Sequence, residues 1–187
     1  MRSFLYGVIV PSLLFISGCT QQNASSHASL VDKPQTAFTL TDIDHRSTTL
    51  TLENDRLHLS RVVQPYVLLH FFSTRADLCR AMLPYLSDLQ REQSRRLFVL
   101  GIVVPESLET ETLRTYMRQN DSSFFISNAP DNATLGRTVA KMLKLGSDYP
   151  LPLTVVFAHG KYLTHYEGVT PIEMIRTDLT PLGRNTK

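Results

Sequence analysis

The 187 residues contain two cysteines, Cys19 and Cys79, and the chemistry of the chain turns on where they stand. Cys79 closes the tetrad Ala76-Asp77-Leu78-Cys79, between the apolar, aromatic run of residues 66–72 and the stretch Arg80-Ala81-Met82-Leu83-Pro84. That pattern predicts a buried strand turning directly into a helix. The free N–H groups and the dipole at a helix start favour an anion, so a thiol there can ionise to the thiolate that attacks disulfides. Ala76 holds that place, and Cys79 lies one turn further in, where a thiol is shielded and less acidic. Asp77 puts a carboxylate at the helix start, which stabilises the helix by about 0.5–1 kcal/mol and disfavours a neighbouring thiolate.

Six histidines complete the inventory of ligating and titrating groups of interest. His27 falls in a polar segment, His45 and His159 in expected turns, and His58 and His165 have no motif around them. His70 sits inside the apolar run, where a hydrogen-bonded core imidazole is the expectation, because buried polar groups are paired. No ligand set for a metal is formed, and no cofactor is expected.

The elements that must position these residues follow from periodicity. Residues 38–43 and 47–52 alternate apolar with polar around Asp44-His45-Arg46, which predicts a hairpin. Residues 53–63 read as a short helix or an irregular connection. A strand over 66–72, apolar apart from His70, has the composition of a central strand covered on both faces. A helix follows to about Gln93, with Pro84 set to kink it. Further strands are expected over 97–104 and 123–127, and helices over 107–119 and 132–145, the latter stopped by Gly146. Residues 153–157 and 162–166 form a hairpin, and Thr170 and Pro171 open a last helix to residue 182. Strands alternating with helices and closing on an antiparallel hairpin give a mixed α/β sheet with helices on both faces and an extra N-terminal β-hairpin.

The N-terminus adds an address. Arg2, an apolar run from Phe4 to Ile16 and the sequence Ile16-Ser17-Gly18-Cys19 describe a secretory signal too short for a comfortable membrane span. The cysteine at the cut resembles a bacterial lipobox, which implies removal of residues 1–18 and lipidation of Cys19, with palmitate among the acyl chains. Thr20 in place of Asp implies the outer rather than the inner membrane. Residues 19–35 are Ser-, Asn- and Gln-rich and aperiodic, and read as a flexible tether. The third segment, residues 36–187, has the length of one domain with a real core, and the 42% apolar content of the whole sequence supports a globular fold. A net charge of +2 excludes an electrostatic case for a nucleic-acid partner. With Cys19 blocked, Cys79 has no internal disulfide partner.

Across residues 36–182 the chain resembles the TlpA/ResA/DsbE branch of thioredoxin-fold proteins. Phe38-Thr39-Leu40-Thr41-Asp42 is similar to its opening strand, Val67 to Thr74 to the strand before the active site, and Cys79 to Pro84 to the helix after the first cysteine. Tyr149-Pro150-Leu151-Pro152 occupies the place of the cis-proline, and His159-Gly160-Lys161 that of an Asp-Gly-Lys turn. The resemblance implies a thioredoxin-like fold. It makes Ala76, Asp77, Leu78 and Pro152 the equivalents of active-site positions, with the first cysteine of the Cys-x-x-Cys pair missing and Arg75 in place of the usual Trp. A copper-delivery protein of the Sco type would need that missing sulfur as a ligand. A peroxiredoxin would need Pro-x-x-x-Thr-x-x-Cys, and Thr74 is wrongly spaced from Cys79.

Two functions remain open from sequence. One is a lipid-anchored periplasmic protein, redox-degenerate, that binds envelope protein clients or assembly partners through the edge beside Pro152. The other is a monothiol thiol-disulfide oxidoreductase using Cys79 as its catalytic residue, which requires that Cys79 be accessible.

Overall fold

A computed structural model describes residues 36–180. In chain order its elements are β1 (Ala37–Thr41), β2 (Ser47–Glu53), β3 (Arg56–Leu59), β4 (Tyr66–Phe72), α1 (Asp77–Arg80), α2 (Leu83–Glu92), β5 (Leu97–Val103), α3 (Thr110–Gln119), β6 (Phe125–Ser127), α4 (Asn132–Met142), β7 (Leu153–Ala158), β8 (Lys161–Glu167) and α5 (Ile172–Asp178). The eight strands form one sheet in the order β1-β2-β3-β8-β7-β4-β5-β6. β4 is central, parallel to β5 and antiparallel to β7, so the sheet is mixed as expected.

The alternation of β4 sets the two faces of the sheet. Val67, Leu69 and Phe71 join a core with Leu135 and Val139 of α4 and with the apolar residues of β1 to β3. Leu68 and Phe72 face the other way, into a core built with Cys79, α2, Leu113 of α3 and Ile175 of α5. Each fully buried Leu or Phe in these layers contributes about 1.5–3 kcal/mol relative to exposure. β5 leaves no room for a side chain at Gly101, where a Cβ would stand 2.9 Å from both Ile126 and Phe124.

The N-terminal hairpin turns on Asp42, which is buried and accepts hydrogen bonds from the backbone N–H groups of Asp44 (3.0 Å) and Arg46 (2.9 Å). The β7–β8 turn is His159-Gly160, both at positive φ (53° and 74°), the pairing a two-residue hairpin demands. Gly160 is also fixed by space, since a Cβ would stand 2.8 Å from the Leu57 carbonyl oxygen.

Several expectations are corrected. The segment read as a helix or irregular connection contains a strand, β3, whose Leu57 and Leu59 face the core while Arg56 and His58 face out. The helix after the tetrad is not one kinked helix but two, because Pro84 lacks an N–H and its ring crowds the carbonyl of Arg80, where α1 ends. α4 stops at Met142 and the chain turns at Lys144 (φ 61°), before Gly146. α3 begins at Thr110 rather than 107, β6 at Phe125, and α5 ends at Asp178, with Pro171 at its N-cap. Cys19 and the signal and tether boundaries lie outside the described residues, as does His27.

Candidate functional site

The C-terminal end of β4 and the start of β7 adjoin, with Phe71 paired to Leu153, and this register brings the tetrad and the proline turn to one end of the sheet. Ala76 is the N-cap of α1 in extended conformation and makes no side-chain cap. Its carbonyl accepts the N–H groups of Cys79 (3.1 Å) and Arg80 (3.3 Å). Ala76 and Leu151 are half-buried against the same core that holds Cys79, whereas Leu78 is 64% exposed. The Leu151–Pro152 bond is cis, Pro152 is buried, and its carbonyl accepts the Gly168 N–H at 2.8 Å.

Cys79 is wholly buried, with its thiol free of any disulfide. Burial pushes its pKa up, the N–H of Ser73 (3.4 Å from Sγ) pulls it down, and the charge of Glu106 pushes it up again. The anion that bears on the sulfur is therefore Glu106. Asp77 is exposed and paired with Arg80, and α1 is a single turn, so the expected influence of Asp77 passes to a residue from another loop.

Glu106 follows the cis Val104–Pro105 bond after β5 and fastens the turn beyond β4. It accepts the Thr74 N–H at 2.5 Å, the Thr74 hydroxyl at 2.8 Å and the Ser73 hydroxyl at 3.0 Å. Burial raises its pKa, but these hydrogen bonds outweigh that and leave it lowered, so it is a carboxylate at neutral pH. Charge-assisted bonds of this kind are the strong ones. Nothing in the sequence marks Glu106. A carboxylate two residues past an apolar strand belongs to no spacing pattern, and only the pairing of β4 with β5 brings it to Thr74.

Behind the sulfur, Phe72 stacks between His70 (centroids 5.6 Å) and Tyr116 (6.4 Å). His70 is the buried core imidazole expected from sequence. Its Nδ1 bonds the Thr154 hydroxyl at 2.9 Å, and burial drives its pKa down to about 3. Its Nε2 and the Tyr116 hydroxyl are buried without a partner among the described residues. The Tyr116 pKa is pushed up to about 12, first by burial and then by the charges of Cys79 and Glu106. Among the described residues no three His, Cys, Asp or Glu side chains cluster as a metal site would need.

Solved structures share this arrangement of strands and helices. A secreted Mycobacterium tuberculosis disulfide oxidoreductase, homologous to E. coli DsbE, superposes with a TM-score of 0.55 over 76% of this chain and 93% of its own, at 14% identity. StoA from Bacillus subtilis matches with a TM-score of 0.55 over 79% and 98%, at 12% identity. The chain has a thioredoxin-like fold. A thiol-disulfide oxidoreductase from Bacteroides fragilis adds a third neighbour, with a TM-score of 0.52 over 75% and 96%, at 19% identity. No family model and no curated protein matches the sequence. In this chain the tetrad stands at the turn from β4 into α1, and Cys79 is its one sulfur-bearing residue.

Proposed function

We propose that this protein is a redox-degenerate member of the thioredoxin-like fold, lipid-anchored through Cys19 on the periplasmic side of the envelope. It binds extended segments of envelope protein clients or assembly partners without a dithiol cycle. The single observation that carries this reading is the burial of Cys79 behind Ala76: the remaining sulfur is shielded, its thiol held less acidic, and the outer position has no nucleophile. Exchange needs an accessible thiolate, and both requirements fail together.

The surface left at that end suits an apolar segment. Leu78 and Val169 are exposed, Leu151 and Ala76 are half-buried, and Val169 follows the residue whose N–H meets the Pro152 carbonyl. Envelope location is supported by the signal-like N-terminus and by the secreted neighbour, and the outer membrane by Thr20 after Cys19.

Insulin reduction in the presence of dithiothreitol separates the readings. No turnover above the uncatalysed rate is expected, and robust turnover that survives Cys79→Ser defeats the binding reading. The monothiol alternative makes a different demand: iodoacetamide must label Cys79 in the folded protein at neutral pH, and labelling only after denaturation removes it.

A further inference from the structure

One cavity lies at the end of the sheet away from Cys79. It opens beside Phe98 near the start of β5, Phe125 at the start of β6, and Arg61 in the segment leading to β4. Its volume of about 690 Å³ falls within the range of small-molecule sites. The floor is aromatic: Phe124 and Phe125 are buried, and the ring of Phe98 meets that of Phe125 at 6.0 Å and a 53° tilt. The rim carries the guanidinium groups of Arg46 and Arg61, and no Asp or Glu lines the cavity.

The cations differ in what they have free. Arg46 is held by the buried carboxylate of Asp42, with Nε 2.6 Å from Oδ2, so it is positioned and largely neutralised. The Arg61 guanidinium has no hydrogen bond or ion pair among the described residues. Its backbone stands at φ 63°, a region an arginine rarely adopts and one that recurs at ligand clamps. The Ser123 hydroxyl likewise has no hydrogen-bond partner among the described residues, its backbone N–H being the group that meets Ser87 at 3.0 Å. An unmet guanidinium and hydroxyl above an aromatic floor, with no carboxylate lining the same space, select an anion that carries an apolar body.

We propose that this cavity binds a small organic anion, a carboxylate or phosphate monoester on an aromatic or short acyl body. Arg61 and Ser123 hold the head, and Phe98 and Phe125 pack against the body. The site is remote from the tetrad and stands whether or not the chain is redox-degenerate.

Amide chemical-shift titration of the full chain with phenyl phosphate and with octanoate tests this. One of them should shift residues 60–62, 98 and 123–125 saturably, with a dissociation constant at or below about 1 mM. Whichever binds identifies the head as phosphate or carboxylate. Arg61→Asn removes the charge but keeps a residue that tolerates positive φ, and should weaken binding about five-fold. Ser123→Leu, which fills the cavity and keeps every charge, should abolish it. Neutral benzyl alcohol should be indifferent to Arg61→Asn. The proposal is overturned if neither anion gives saturable shifts up to about 10 mM. It is equally overturned if inorganic phosphate binds as tightly as phenyl phosphate while octanoate fails, or if Arg61→Asn and Ser123→Leu both leave binding unchanged.

Discussion

His70 should make the stability of this domain strongly acid-sensitive. Its imidazole is wholly buried on the Cys79 side of the sheet, and burial lowers its pKa from 6.5 to about 3. Below pH 6.5 the unfolded chain takes up a proton at this residue that the folded chain refuses. Stability is therefore full above pH 6.5 and falls as the pH drops, at about 1.4 kcal/mol per unit, until the folded ring titrates. Between pH 6.5 and 4.5 this one residue removes about 2 kcal/mol, and by pH 3 about 4 kcal/mol. A domain of this size holds about 5–15 kcal/mol in all, so the effect is large. Urea unfolding at a series of pH values, for the native chain and for His70→Phe, isolates it. Groups common to both chains cancel in the difference, and so does the static cost of stranding the Thr154 hydroxyl, because only the slope is compared. The native curve should fall about 2 kcal/mol more than the variant's over that interval. Parallel curves would refute the burial of an uncharged imidazole.

Two further outcomes concern the tetrad. Ala76→Cys should form a disulfide with Cys79 under oxidising conditions, since residues three apart on a helical turn lie within bonding reach, and mass spectrometry of the unreduced variant detects it. Two free thiols after oxidation would count against the placement of the turn. Glu106→Gln should lower the Cys79 pKa, because the charge that opposes the thiolate is gone. It should also cost about 1–3 kcal/mol as the bonds to Ser73 and Thr74 weaken. Thiolate absorbance against pH and urea unfolding read these two effects, and an unchanged or raised thiol pKa contradicts the assignment. The lowered pKa of Glu106 adds stability that is present above the ordinary carboxylate range and lost as the pH falls through the folded value.

What could be read from sequence divides along physical lines. β4 was legible to the residue because a strand covered on both faces admits only apolar side chains, and Tyr66 to Phe72 is such a run with one paired exception at His70. The β7–β8 hairpin was legible because two residues at positive φ leave few choices, and Gly160 supplies one. β3 was not, since Arg56-Leu57-His58-Leu59 offers two alternations, too few to tell a strand from a connection without the neighbouring β2. The break between α1 and α2 was half legible: Pro84 announced a disturbance, but whether a proline bends or severs a helix depends on what receives the freed carbonyl. Of the candidate site, Cys79, Ala76, Asp77, Leu78 and Pro152 were named from the family resemblance. Glu106 and Tyr116 came only from the approach of distant segments, which no local spacing encodes.

The severed helix bears on what a sulfur at residue 76 would gain from its surroundings. In one long helix, many aligned peptide units would lend acidity to a sulfur placed at residue 76. Here a single turn stands behind that position, a carboxylate faces the turn from the side, and the second sulfur is sealed from water. A chain carrying Ala76→Cys would gain a bond to Cys79 without gaining a strongly activated nucleophile.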